Sequence, residues 1–324
     1  MSWLVTGGAG YIGAHVVRAF QAKGIDTVVV DDLSSGRRSF LTDDERFVQG
    51  SILDGRLLED AFEKFHVQGV VHLAGFKYAG VSVKRPLHTY QQNVAGTSML
   101  LAAMEAKGVD RIVFSSSAAV YGTPDVDLVT ETTPKHPESP YGESKLIGEW
   151  LLADQARATG LRHTSLRYFN VVGSGTPEVF DPSPHNLFPL VFEALLDGRT
   201  PRINGDDYPT PDGTCVRDYI HVADLAEAHV VAAQRLDAGE PIEPVYNLGS
   251  GDGVSVGEIM RAVAEVTGIA FDPEIAPRRE GDPARIVASG ELAARDLDWR
   301  MRHSLTEMVA SAWEARRSAP VDNV

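Results

Sequence analysis

The sequence predicts an α/β fold, a parallel sheet wound on both faces by helices, followed by a smaller α/β region. Three observations carry this. Short valine-rich runs alternate with stretches of helical spacing through the first half. A glycine-rich turn joins the first run to the first helical stretch. After Asn170 the texture changes, with Gly173, Gly175, Pro177, Pro182, Pro184 and Pro189 arriving close together. At 324 residues the chain exceeds one typical core.

The predicted strands fall at residues 3–5, 27–30, 69–73, 111–114 and 163–166. Val28-Val29-Val30 and Val70-Val71 lack polar alternation, as central parallel strands covered on both faces do. Helical spacing fills residues 11–22, and Ser139-Pro140 announces another helix beginning at Tyr141. Residues 1–169 are therefore expected to form a doubly wound domain. Further helical patterns at 187–197, 223–235, 255–267 and 304–317 are enough for a second domain over 170–324, with parts of 216–248 packing back on the first. The tail from Ser318 carries no pattern, and no internal repeat appears.

A net charge of -15 repels polyphosphate backbones and anionic surfaces, so neither nucleic acid nor a membrane is an expected partner. A small anionic ligand is compatible with it, because helix N-termini and local arginines bind phosphate whatever the global sign. Cys215 is the single cysteine, which excludes an internal disulfide and fits a reducing compartment. No apolar run near the N-terminus is long enough for a signal peptide or a span, so a cytoplasmic protein is expected. No metal is expected.

The first turn reads Thr6-Gly7-Gly8-Ala9-Gly10-Tyr11-Ile12-Gly13. Gly7 and Gly10 let the backbone turn tightly against a pyrophosphate, Gly13 lets helix and strand pack closely, and the phosphates sit on the helix N-terminus. Asp31 ends the second strand, followed by Asp32, Leu33, Ser34, Ser35 and Gly36. A carboxylate there accepts from ribose hydroxyls and repels a 2'-phosphate, which favours NAD over NADP. Arg37 and Arg38 stand close enough to weaken that preference.

The fourth predicted strand runs into Ser115-Ser116-Ser117, and Tyr141 and Lys145 lie four apart on one helical face. A phenol with a pKa near 10 is a poor base at neutral pH, and a neighbouring ammonium is expected to lower that value. Such a pair also occurs on helices that do no chemistry. Joined to the glycine turn and the serine-ended strand, it points to acid/base catalysis.

The segments TGGAGYIGAH, HLAG with Lys77 behind it, FSSSAAVYG, SPYGESK and RYFN resemble the extended short-chain dehydrogenase superfamily, with its Rossmann-type sheet. The later segments GDDYPTPDGTCVRDYIHVADLAEAH, YNLGSG and APRREGDPARIVAS resemble the UDP-glucose 4-epimerase family, and the likeness covers nearly the whole chain. The resemblance implies Tyr141 as acid/base, Lys145 as its activator and nicotinamide-ribose ligand, and Ser117 as the hydroxyl reaching the sugar O4. It further implies Ser51, Ile52, Leu73, Ala74, Gly75, Lys77, Gln92, Ser115 and Phe169 around the cofactor. For the UDP-sugar it implies Lys77, Asn170, His185, Asn186 and Leu187, with Asn204, Arg217, Arg279 and Asp282 on the diphosphate and uridine and Ile286 beside the hexose.

This chain departs from the family pattern at several places. Ser51 replaces the Asp that holds adenine, Gln92 an Asn near the cofactor phosphates, and Asn204 an aromatic at the uracil, and the loop before Asn186 is short. The activity implied is inversion at C4 of a UDP-hexose through a 4-keto sugar, with NAD regenerated each cycle. Alternatives are an epimerase of UDP-N-acetylhexosamines or UDP-uronates, a dehydratase, or a non-catalytic dinucleotide sensor. Ala118-Ala119 after Ser117 weighs against the dehydratase, and the intact Ser117, Tyr141 and Lys145 weigh against the sensor. The resemblance also suggests a homodimer through helices near 94–107 and 141–159.

Overall fold

A computed structural model of the chain describes residues 2–279 and 282–319. Its centre is a seven-stranded, all-parallel sheet in the order β11-β6-β5-β4-β1-β2-β3. In chain order the first six strands are β1 (Ser2–Thr6), β2 (Asp26–Asp31), β3 (Arg46–Gln49), β4 (Val67–His72), β5 (Arg111–Ser115) and β6 (Arg162–Tyr168). The short strands β7 (Asn170–Val172), β8 (Arg202–Asn204), β9 (Val216–Arg217) and β10 (Tyr219–His221) precede β11 (Val245–Leu248), and β12 (Val254–Ser255), β13 (Glu274–Ala276) and β14 (Arg285–Ile286) follow. The helices are α1 (Tyr11–Ala22), α2 (Gly55–Phe65), α3 (Ala79–Lys84), α4 (Pro86–Tyr90), α5 (Gly96–Lys107), α6 (Pro140–Thr159), α7 (Leu187–Leu196), α8 (Val222–Ala238), α9 (Val256–Thr267), α10 (Glu291–Leu297) and α11 (Leu305–Ser318).

The valine-rich runs explain the sheet. Val5 on β1 pairs with Val29 on β2 and Val71 on β4, and all three are buried. One apolar layer beneath the sheet joins α1 and α8 through Val16, Val17, Phe20, Leu225 and Ala232, and the other joins α2, α5 and α6 through Leu58, Phe62, Leu100, Met104 and Leu152. Order reverses between β1 and β4, and a crevice opens at the carboxyl ends of the strands at that switch point. Two sheet strands were not apparent from the sequence: β3, half exposed at one edge, and β11, which arrives at the opposite edge from far along the chain and pairs with β6. A third core, built by α7, α9 and α11 around Phe192, Ile259, Met260 and Trp313, lies beyond the ends of the strands. Cys215 is buried in that core as a free thiol. Among the described residues no helix is long and apolar enough to cross a membrane.

Candidate active site

The crevice holds a cavity of about 610 Å³, within the range of small-molecule sites. Gly7, Gly10, Tyr11, Ile12 and Gly13 form its floor. Gly7 has φ +72°, and a Cβ on it would stand 2.8 Å from Ala74 N; one on Gly13 would stand 2.1 Å from Gly7 O. The glycines thus let β1, α1 and the end of β4 close on one another. α1 starts at Gly10 with neither a side-chain cap nor an acid in its first turn, which leaves its positive end to the cavity. That cradle fits the pyrophosphate of a dinucleotide.

Asp31 fixes the far wall. Its Oδ2 accepts from Ala9 N (3.0 Å) and its Oδ1 from Leu33 N (2.8 Å), which holds Leu33 at φ +61°, a strained conformation for a branched side chain. Burial pushes the Asp31 carboxyl above its ordinary value, against those two N–H bonds. Asp32, Ser34, Ser35 and Gly36 line the cavity beside it, whereas Leu33 does not. Arg37 and Arg38 are also outside the lining: their guanidiniums lie over Phe180 at 5.0 Å and Phe47 at 5.2 Å. Ile52 lines the cavity, but Ser51 does not, its hydroxyl accepting from Leu53 N.

Leu73, Ala74, Gly75 and Lys77 follow β4 along the opposite wall, with Gln92 behind them. The residue that shapes this loop is one the sequence did not single out. Asn93, buried in a single wide turn between α4 and α5, accepts from Phe76 N (2.6 Å) and donates to Phe76 O (3.0 Å) and Ser144 Oγ (2.8 Å). A Cβ on Gly75 would meet Asn93 Oδ1 at 2.7 Å. From Phe76 a chain of ring contacts runs to His88 (5.1 Å) and Tyr78 (5.6 Å) and on to His185 (5.0 Å) ahead of α7. Phe76, Tyr78 and His88 line the cavity, and only an unusual density of rings could have signalled them. His185 itself is not in the lining, while Asn186 and Leu187 are, along with Asp181, which accepts from Asn186 Nδ2 (2.7 Å).

Tyr141, Lys145, Phe169 and Asn170 close the inner end. Ser139 caps α6 by accepting from Gly142 N, with Pro140 in the first turn, so the next two turns present Tyr141 and Lys145 on the cavity side. Ser117, itself outside the lining, accepts from Ala119 N (3.1 Å) and stands near enough to the Tyr141 phenol to favour its charged form. Lys145 Nζ donates to Ser115 O (2.8 Å) and sits 5.9 Å from the centre of the Tyr141 ring. Ser115 stands behind this wall, its hydroxyl on His229 Nε2 (2.7 Å). The electrostatics differ from the sequence expectation. Burial pushes the Tyr141 phenol up, with Ser117 pulling the other way, and burial draws Lys145 down to about 8 against the pull of Glu149. The ammonium does not by itself produce an acidic phenol, because both groups share one desolvated site.

The remaining expected residues form a second cluster outside the cavity lining. Asn204 Oδ1 accepts from Arg279 Nε and Nη2, both at 3.1 Å, once its amide is oriented to satisfy both partners. Arg217 Nη2 donates to Asp282 Oδ1 (3.2 Å), and Ile286 pairs with Arg217 across β14 and β9 while packing against the buried cluster of Val120, Tyr121, Val129, Leu146 and Ala288. The cluster meets the cavity through Tyr219, which lines it and feels the charges of Arg217, Asp282 and Arg279.

Comparison with known proteins agrees with this arrangement. The NAD dependent epimerase/dehydratase family matches residues 3–249. A UDP-glucose 4-epimerase of Corynebacterium glutamicum is 43% identical over 97% of this chain and 95% of its own length. The crystal structure of a UDP-glucose-4-epimerase from Stenotrophomonas maltophila with bound NAD and formylated UDP-arabinopyranose superposes with a TM-score of 0.93, at 41% identity over 98% of each chain. One from Bifidobacterium longum in complex with NAD+ and UDP gives 0.89, at 36% identity over 98% of each chain. A glycine cradle, a buried carboxylate at the end of β2 and a Tyr-Lys pair share one crevice, and the match over residues 3–249 together with these relatives makes this chain a member of the NAD dependent epimerase/dehydratase family.

Proposed function

We propose that the protein is an NAD-dependent UDP-glucose 4-epimerase, inverting C4 of a UDP-hexose. The observation that carries this reading is Tyr141 and Lys145 side by side at the inner end of a cavity floored by the glycine turn, with Ser117 acting on the phenol from behind. NAD, when bound, takes up a hydride and returns it. Tyr141 holds the proton of the sugar O4 and gives it back, Ser117 steadies that oxygen, and Lys145 supplies positive charge where the phenolate develops. Asp31 and the backbone of residues 7–13 orient the dinucleotide. Arg217 and Arg279 anchor the nucleotide end of the substrate while the hexose turns. In this reading residues 1–169 hold mainly the cofactor and 170–324 mainly the substrate.

The direct experiment offers the purified protein a panel of nucleotide sugars without added NAD and identifies the products. Interconversion of UDP-glucose and UDP-galactose supports the reading; turnover of N-acetyl or uronate sugars alone replaces it with the rival epimerases. We place the enzyme in the cytoplasm as a homodimer. Support for the dimer is an exposed apolar set on neighbouring helices: Val83 and Leu87 (61% and 83% exposed), Met99 on α5 and Trp150 on α6. Sedimentation of wild type as a dimer, and of Trp150→Glu as a monomer, is the expected result.

A further inference from the structure

Glu149 stands one turn beyond Lys145 on α6, so residues 141, 145 and 149 share a face. It is buried, and the network it starts gathers four other segments, two directly and two through Arg167. Oε1 accepts from Ser116 Oγ (2.6 Å), just past β5, and from Arg167 Nε (2.8 Å) on β6; Oε2 accepts from Arg167 Nη2 (2.5 Å). Arg167 Nη1 donates to the Tyr121 hydroxyl (2.7 Å), in the turn after Ser117, and that hydroxyl donates to Asn247 Oδ1 (2.7 Å) on β11. None of these groups lines the cavity. The network nevertheless grips both the strand end that carries Ser115 and Ser117 and the helix that carries Tyr141 and Lys145.

We propose that Glu149 is a positioning residue for the reaction, holding these two segments in register and supplying the negative charge that keeps Lys145 an ammonium. The proposal rests on the catalytic reading of Lys145 above. Its force comes from what else surrounds the amine. From β4, His72 is held neutral by burial, with a pKa of about 3, and from α8 His229 likewise at about 4. Tyr141 on α6, Tyr168 on β6 and Tyr121 are all pushed up by burial, away from the charged form. Ser115 offers only a carbonyl. The charges that remain are Glu149 and Arg167; Lys135, His163 and Glu131 lie at the edge of the network, where the first two feel Glu149 and the last bonds Asn247 N. Glu149 acts on Lys145 by its charge from one helical turn away, while Arg167 is paired with the carboxylate itself.

The test separates charge from packing by titrating the Lys145 amine, through side-chain NMR of protein labelled at lysine Cε, with Lys145→Met assigning the signal. Glu149→Gln keeps the shape and loses the charge; the expected result is a midpoint lower by about one pH unit. Its kcat falls further at pH 8.5 than at pH 6.5. Glu149→Asp keeps the charge and disturbs the packing, so it loses thermal stability while its midpoint stays near that of wild type. An unmoved midpoint in Glu149→Gln, or an equal drop in both variants, overturns the proposal. If the lone guanidinium left by Glu149→Gln prevents folding, Glu149→Met with Arg167→Met removes both charges together; a lower midpoint is again expected and an unchanged one is fatal. The titration needs no substrate, so it fails or succeeds separately from the epimerase assay.

Discussion

At the scale of single residues the chemistry narrows to one proton. Tyr141 and Phe differ by a hydroxyl, and that hydroxyl is the group on which Ser117 acts. Tyr141→Phe is expected to lower kcat by several orders of magnitude while NAD stays bound, since only transition-state stabilisation is lost. Comparing turnover with the NAD released on denaturation checks both halves. Substrate scope is a second residue-scale question. Ile286 and the cavity-lining Phe169 pack against the same buried cluster, and the β-branch of Ile286 keeps bulk near the backbone. A modest clash in such a wall costs about 1 to 3 kcal/mol, so UDP-glucose and UDP-galactose should be preferred over their N-acetyl analogues by roughly ten- to a hundredfold in kcat/KM. Ile286→Ala should narrow that gap; equal kcat/KM for both sugar pairs in wild type removes Ile286 as the gate.

Elements turn those residues into a site, and the turn between β1 and α1 shows how little slack they have. A methyl at position 13 would press 2.1 Å from Gly7 O and 2.7 Å from Gly8 Cα, both backbone atoms that cannot swing aside. A methyl at position 10 would meet one atom, at 3.2 Å. Gly13→Ala should therefore cost about 1 to 3 kcal/mol of stability and most of the NAD affinity, with Gly10→Ala milder on both counts. Thermal unfolding together with NAD titration ranks the two. The same turn was the most legible feature of the sequence, because its spacing, its strand and its helix are all local. Strands β1, β2, β4, β5 and β6 were legible for the same reason, through short local runs of β-forming residues. β3 and β11 were not: an edge strand needs little apolar signal, and β11 owes its place to a partner eighty residues away. Asn93 and the Phe76–Tyr78–His185 contacts escaped notice because they depend on where loops meet, which periodicity does not encode.

Over the whole molecule, acid is the expected weakness. His15, His221 and His229 have pKa values of about 4 and His72 about 3, each drawn down chiefly by burial. An unfolded histidine titrates near 6.5, so the unfolded chain binds more protons between about 4 and 6.5. The stability these four contribute is complete above pH 6.5 and is lost as pH falls through that window, at about 1.4 kcal/mol per pH unit each. Asp31, Glu45 and Asp218, raised by burial, oppose this in part. The net expectation is a Tm several degrees lower at pH 5 than at pH 7; a flat Tm across that range contradicts it. A different consequence follows from β11 and α8. The seventh strand covers β6, and α8 packs its apolar face on α1, so the second half of the chain finishes the sheet begun by the first. On a ribosome the first 169 residues emerge with a bare strand edge and an uncovered helix; the helix waits for residue 238 to be sheltered and the strand edge for residue 248. The order of synthesis thus leaves a sticky half-built protein for as long as about eighty more residues take to appear, which makes this stretch the one where a chaperone, or a slow codon, has most to decide.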